Sequence, residues 1–358
     1  MAEKRILFTG GGTAGHVIVN LALIPFFKKE GWQIDYIGSI DGIERELISD
    51  LEGVTYHPIS TGKLRRYMSL ENIKDPFRVL KGTFQAWKII RKIKPHVLFS
   101  KGGFVSVPVV FAAKMLRVPT IIHESDYTPG LANKLSVPFA NRVLTTFPET
   151  VKYLPDKKTE YIGAVVRNEL FEGDKQKGYA FTGLTKDKPV LLIMGGSSGS
   201  EKINEAVRSN LDELLKEFQI VHLCGIGKLD DSINRKGYVQ FEYVKEELAD
   251  IFAITDFIVS RAGANAIFEF LALNIPMLLI PLSEAASRGD QIVNANSFKE
   301  SGFAHVLKEE ELTNDSFIKE INHLQQYGAM YKDRMKQYES AEARDKIIEI
   351  IQSLSRTY

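Results

Sequence analysis

Short apolar runs, each closed by glycine or small polar residues, recur along the chain and set its plan. Lys4-Arg-Ile-Leu-Phe-Thr9 predicts a buried strand, and Gly10-Gly-Gly-Thr-Ala-Gly-His16 follows it directly. Residues 17–30 predict a helix closed by Gly31, and Gln33-Ile-Asp-Tyr-Ile-Gly38 the next strand. Strand, glycine turn, helix, strand is a βαβ unit, the start of a parallel doubly wound sheet. Strands are predicted again at 95–100 and 119–124, with the glycine turn Lys101-Gly-Gly-Phe-Val-Ser-Val-Pro108 and a helix between them; 144–146 and 159–163 close this half. The pattern restarts after the charged stretch Asp174-Lys-Gln-Lys177 with a strand at 189–194, a third glycine turn, Gly195-Gly-Ser-Ser-Gly-Ser200, and one helix over 203–218. Strands at 219–224, 238–241, 256–260 and 277–280 alternate with helical stretches, and 316–358 is charged and helical without a strand. The expectation is an α/β protein of two doubly wound, Rossmann-like domains, which suits 358 residues better than a single core. Ligands of open α/β sheets bind outside the carboxyl ends of the strands, so a cleft lined by helix N-termini is the expected site.

Composition sharpens this picture in two places. The single cysteine, Cys224, excludes an internal disulfide and suits a reducing compartment; in an apolar strand it acts as a small hydrophobe. No secretory pattern and no apolar run near the ~18 residues of a spanning helix occurs, so no membrane span is expected. The net charge of +1 conceals an asymmetry. Residues 1–163 hold 23 Lys+Arg against 15 Asp+Glu, and the remainder 23 against 30. Much of the excess lies in 63–94, where Phe77, Leu80, Phe84 and Trp87 recur at helical spacing among ten cations. That stripe either packs on the sheet beneath a solvated basic face or meets an anionic lipid surface.

Candidate chemistry gathers at the glycine turns. Arg261-Ala-Gly-Ala-Asn265-Ala-Ile-Phe-Glu269 runs from a strand end through small residues into a helix, whose N-terminus lets phosphate approach the main chain. Glu269, about one turn into the helix, suits the two hydroxyls of a ribose. The first turn is not G-x-G-x-x-G and no acidic residue ends the second strand, which argues against an NAD(P)-dependent oxidoreductase. No Asp-x-Asp and no cluster at metal-ligand spacing occurs, so neither metal nor cofactor is expected.

Together Gly11-Gly-Thr-Ala-Gly-His16, Lys101-Gly-Gly-Phe104, His123-Glu124, Gly195-Gly-Ser197, residues 261–269 and Arg288-Gly-Asp-Gln-Ile-Val-Asn294 carry a resemblance that runs essentially end to end. The chain resembles the family 28 glycosyltransferases of bacterial peptidoglycan synthesis that transfer N-acetylglucosamine from UDP-N-acetylglucosamine to undecaprenyl-diphospho-muramoylpentapeptide. The resemblance implies a GT-B fold and an inverting, metal-independent transfer to the muramoyl 4-hydroxyl. It also implies an acceptor and membrane-facing domain at 1–163, joined by a C-terminal helix at about 340–358, and a UDP-sugar domain at 164–339. On the donor side Glu269 would take the ribose hydroxyls, Arg261 and the main chain at Val244 would flank the uracil, and Ser197 would hold the diphosphate. Ala264 and Asn265 would approach phosphate and sugar, Gln291 would read sugar hydroxyls, and Arg167, Asp126 and Thr13 would also serve the donor. On the acceptor side Gly11, Gly12, Thr13, Ala14 and Gly15, with Gly102 and Gly103, would cradle the lipid-linked diphosphate through backbone N–H groups. His16 is the first candidate base, since an imidazole titrates near working pH, and Glu124 the second.

Three departures stand out: Asp126 where the family carries Asn, Ala14 where a Gly is common, and the unusual run Leu282-Ser-Glu-Ala-Ala-Ser287 ahead of Arg288. Positive helix ends and Arg would neutralise the departing UDP. The implied place is the cytoplasmic face of the bacterial plasma membrane, held peripherally through 63–94, with division or elongation proteins as further partners and no nucleic acid. A UDP-sugar:diacylglycerol glycosyltransferase and a non-catalytic UDP-sugar-binding paralogue remain the alternatives.

Overall fold

The computed structural model describes residues 4–62, 71–196, 198–284, 289–338 and 342–356, with only the backbone of 71–74 and 76. Two units result, Met1–Val165 with Ala341–Tyr358, and Val166–Ser340. In the first, β1 (Arg5–Thr9), β2 (Gln33–Ser39), β3 (Val54–Ile59), β4 (Val97–Ser100), β5 (Thr120–Glu124), β6 (Arg142–Thr145) and β7 (Thr159–Tyr161) make one sheet. Its order is β3-β2-β1-β4-β5-β6-β7, with every pair parallel. Its helices are α1 (Gly15–Lys29), α2 (Ile43–Ser49), α3 (Glu71–Ile93), α4 (Ser106–Met115) and α5 (Leu131–Ser136).

The second unit holds β8 (Val190–Met194), β9 (Gln219–Leu223), β10 (Tyr238–Phe241), β11 (Phe257–Ser260), β12 (Met277–Leu279) and β13 (Ala304–Val306), in the order β10-β9-β8-β11-β12-β13, again parallel. Around them lie α6 (Lys175–Thr182), α7 (Glu201–Ser209), α8 (Leu211–Glu217), α9 (Leu248–Ile254), α10 (Ala264–Ala272), α11 (Asp290–Glu300) and α12 (Asn314–Met335). A last helix, α13 (Ala343–Arg356), belongs to the first unit.

The continuous apolar runs follow from burial of both sheet faces. In the first unit Leu7, Ile37 and Leu98 pack with Ile90 of α3 and Val109 of α4. The alternate residues Ile6, Phe8, Val97 and Phe99 pack with Leu23 and Phe27 of α1 and Ile347 and Ile351 of α13.

The structure departs from the sequence expectations at several places. α2, β3 and β13 were not anticipated, being short and, in β3, alternating with polar positions. The helix expected over 203–218 is two, α7 and α8, parted at Asn210, whose side-chain amide donates to the Ala206 carbonyl (2.7 Å). The charged stretch at 174–177 is a helix start: Asp174 caps α6 by accepting from the backbone of Gln176 and Lys177.

Both strand orders reverse direction once, between β1 and β4 and between β8 and β11. A ligand crevice opens at such points, beyond the carboxyl ends of the two strands. The glycine turns after β1 and β4 fall at the first reversal, and those after β8 and β11 at the second.

Candidate functional site

In the first unit the two glycine turns are locked together. Gly11 donates its N–H to the Gly102 carbonyl (3.3 Å). Gly103, at φ +81°, lies so close that a Cβ there would sit 2.1 Å from the Gly11 oxygen. Only glycine tolerates both the conformation and the approach. Gly102 has φ +94° and Gly12 φ +86°.

Two of the backbone donors expected to cradle a diphosphate, the Gly11 and Gly12 N–H groups, are bonded within the protein. The Gly12 N–H donates to Glu44 Oε2 (3.0 Å), while Glu44 Oε1 accepts from the Ser39 N–H (2.9 Å) and hydroxyl (2.5 Å). The His16 and Val17 N–H groups turn back onto the Thr13 and Ala14 carbonyls (3.1 and 2.9 Å). Glu44 is wholly buried, a buried carboxylate requires donors, and the loop supplies one. Thr13 is exposed, and Ala14 and Gly15 are half-buried at the start of α1.

α1 begins at Gly15, which puts His16 in its first turn. His16 Nδ1 is 3.0 Å from the Gly11 carbonyl oxygen and 3.1 Å from the Thr13 hydroxyl. A carbonyl can only accept, so Nδ1 carries the proton and Nε2 keeps its lone pair. Burial and the Lys101 ammonium lower the imidazole pKa to about 4, against the opposing pull of Asp126, the Gly11 carbonyl and Glu44. At pH 7 the ring is neutral.

Glu124, at the end of β5, accepts from the Asp126 N–H (3.0 Å), the Gly130 N–H (2.9 Å) and the Asn133 amide (2.8 Å). Three donors make it the anchor of the 125–130 turn. Burial and the neighbouring Asp126 push its pKa up, against the pull of Lys101 and of the bonds from Asp126 and Asn133. Lys101 is buried, donates to the Ser125 hydroxyl (2.6 Å), and has its pKa lowered by that burial. Asp126 is half-buried, and its carbonyl accepts from the Thr150 hydroxyl (3.2 Å).

The second unit closes its turns with a cation. Arg261 is 7% exposed and spends one terminal nitrogen on the carbonyls of Ile280 (3.1 Å) and Pro281 (3.4 Å). The other meets the Ser200 hydroxyl (2.6 Å) and the Glu309 carboxylate, which also holds Lys202 (3.0 Å). The guanidinium expected beside uracil thus ties the third glycine turn to the end of β12 and the loop after β13; its Nε has no partner among the described residues. Ser197 lies outside the described residues.

α10 starts at Ala264 behind Gly263, with no side-chain cap and open space where a Gly263 Cβ would be. Ala264 is buried and Asn265 half-buried. Glu269, 5% exposed on α10, takes a two-point ion pair from Arg167, at 2.9 and 3.2 Å. Two donor-side candidates 102 residues apart are thereby joined, and each carboxylate oxygen keeps a further lone pair for a hydroxyl. Burial pushes the Glu269 pKa up against the pull of Arg167. Gln291 Oε1 accepts from the Leu282 N–H (3.1 Å), and Val244 buries its side chain in the loop after β10.

The stripe on α3 is not core. Phe77, Leu80 and Phe84 are 70%, 67% and 56% exposed, whereas Ala86, Ile90 and Ile93 face the sheet. Trp87 packs partly on that core and stacks on Phe84; Lys88 and Arg91 lie over the two rings. α4, packed against both α3 and α5, exposes Phe111 and Met115, and α5 exposes Leu131 and Leu135. Residues 63–70 of the basic stretch lie outside the described residues. Among the described residues no helix is long and apolar enough to cross a membrane.

Comparison with known proteins matches residues 6–145 to the glycosyltransferase family 28 N-terminal domain and residues 190–350 to the family 28 C-terminal domain. A protein of Oceanobacillus iheyensis is 65% identical over 99% of both chains; it is named UDP-N-acetylglucosamine–N-acetylmuramyl-(pentapeptide) pyrophosphoryl-undecaprenol N-acetylglucosamine transferase. One of Bacillus cereus, carrying the same name with the suffix 2, is 57% identical over 97% of this chain and 99% of its own. Among solved structures, MurG of Acinetobacter baumannii shares the fold, with a TM-score of 0.76 at 24% identity over 98% of this chain and 99% of that one.

Proposed function

The chain belongs to glycosyltransferase family 28, and we propose on that footing that it transfers N-acetylglucosamine from UDP-N-acetylglucosamine to undecaprenyl-diphospho-muramoylpentapeptide in peptidoglycan synthesis. The end-to-end likeness to relatives named for that transfer carries the reading. The reaction is a single inverting displacement. The muramoyl 4-hydroxyl oxygen attacks the anomeric carbon as the bond to UDP breaks; UDP leaves with the electron pair and a β-1,4 link forms. His16 Nε2 takes the hydroxyl proton, a role that suits a neutral imidazole whose Nδ1 is already bound to the Gly11 carbonyl.

The first unit, with α13, takes the acceptor, and the second takes the donor. Glu269, steadied by Arg167, receives the ribose hydroxyls. The uncapped N-terminus of α10, near Ala264 and Asn265, faces the diphosphate and favours its growing negative charge without a metal. Val244 and Arg261 frame the base, Gln291 the sugar, and Ser197, Asp126 and Thr13 complete the donor contacts. Thr13, Ala14, Gly15, Gly102 and Gly103 line the acceptor diphosphate, with Lys101 supplying positive potential from below. The exposed apolar residues of α3, α4 and α5, with Lys81, Lys88 and Arg91 among them, rest on the anionic cytoplasmic membrane surface.

The test is transfer from labelled UDP-N-acetylglucosamine to the undecaprenyl-linked acceptor in detergent with EDTA present. Labelled disaccharide-lipid is the expected product. Turnover only with UDP-glucose and diacylglycerol would overturn the acceptor, and UDP binding without any transfer would overturn the enzyme.

A further inference from the structure

A wholly buried carboxylate stands behind the first glycine turn with no assigned role. Glu44 lies in the first turn of α2, and both its oxygens are filled, by the Ser39 N–H and hydroxyl and by the Gly12 N–H. The chain leaves it room only because two neighbours are glycines. A Cβ at Gly11 would come within 2.3 Å of the Glu44 carboxyl carbon, and one at Gly42 within 2.3 Å of its Oε2.

The Gly12 N–H and the Gly11 C=O belong to the same peptide unit. In a planar trans peptide these groups point in opposite directions, so fixing one fixes the other. The N–H points at Glu44 and the C=O at His16 Nδ1, at 3.0 Å on either side. A single peptide plane therefore links a buried carboxylate to the imidazole.

We propose that Glu44 is a positioning residue for the transfer: through the Gly11–Gly12 peptide it aims the Gly11 carbonyl at His16 Nδ1 and so fixes the tautomer that leaves Nε2 free to accept a proton. Its part resembles that of a carboxylate orienting a catalytic histidine, with a peptide group interposed. An amide at this position would set an NH2 group against either the Gly12 N–H or the Ser39 donors, because Gln has only one accepting atom for three donors. The peptide would then lose its reason to hold that orientation. The other charged groups facing His16 are Lys101 at the end of β4 and Asp126 in the turn after β5, with the Thr13 hydroxyl on its own turn.

The inference rests on His16 as the base, and the experiment separates the two claims. Nitrogen-15 histidine NMR on the full chain reads the His16 tautomer without any turnover. The wild type is expected to show the proton on Nδ1 at pH 7, and folded Glu44→Gln a mixed or reversed tautomer. In the same variant kcat is expected to fall about 10–100-fold, with KM for UDP-N-acetylglucosamine held within about twofold, since Glu269, Arg167 and the α10 N-terminus lie on the other unit. Its acid limb should move to lower pH, because a negative charge that favours the imidazolium has gone. A wild-type ring protonated on Nε2 would overturn the proposal even if the variant fails to fold. So would a folded Glu44→Gln with the wild-type tautomer and rate. Full activity in His16→Ala would instead remove the base, and the tautomer alone would then decide whether Glu44 orients the ring.

Discussion

The two units repeat one topology and close its crevice with opposite charges. In the first, a buried carboxylate, Glu44, draws one glycine-turn N–H inward, that of Gly12, beside the two donors of Ser39. In the second, a buried guanidinium, Arg261, binds carbonyls and a hydroxyl of the surrounding loops, and α10 begins behind Gly263 without a side-chain cap. An anion-holding site needs unspent N–H groups, whereas a base needs a fixed carbonyl beside it. The proposed roles follow this difference, with proton transfer in the first unit and the UDP diphosphate at the α10 N-terminus of the second, although both arrive by strand, glycine turn and helix.

Substitutions on either side should separate these duties. The largest effect is expected from His16→Ala, which should lower kcat by about 10²–10⁴-fold, measured by initial rates at saturating donor. Next is Glu269→Ala, which leaves the half-buried Arg167 without its carboxylate; donor KM should rise by about 10–100-fold, or ~1.4–3 kcal/mol of binding, at nearly unchanged kcat. Gly103→Ala should push the two acceptor-side turns apart and cost ~2 kcal/mol or more in chemical denaturation, while UDP affinity persists. A smaller signature is pH: the neutral ring is the active form, so kcat/KM should hold below pH 6.5 and fall only as pH nears about 4. The least costly change is Leu80→Ser with Phe84→Ser. Both side chains are exposed, so stability should move by no more than ~0.5 kcal/mol per site while binding to anionic vesicles drops.

These assignments were unevenly visible in the sequence. Strands buried on both faces announce themselves as apolar runs, and the glycines after them mark the crevice because their φ angles and close approaches admit little else. Partnerships across the chain left no such trace. Glu44 looks like an ordinary helix-start carboxylate, yet it supplies the acid that seemed missing at the end of β2, and it faces the loop rather than a ribose. Arg167 and Glu269 were each assigned to the donor, and only the fold shows that they hold one another. Arg261 and Glu124 carry bonds of the same hidden kind: residue type suggested contact with ligand, and the fold adds that each also ties neighbouring loops together. The α3 stripe shows that helical periodicity identifies a face and not what covers it, since Phe77 and Phe84 point outward.

The division of labour is tested most directly by titrating UDP calorimetrically into His16→Ala and Glu269→Ala, beside the wild type. The account predicts wild-type affinity for the first and affinity weakened about 10–100-fold for the second. Weakened binding in His16→Ala, or full binding in Glu269→Ala, would contradict it.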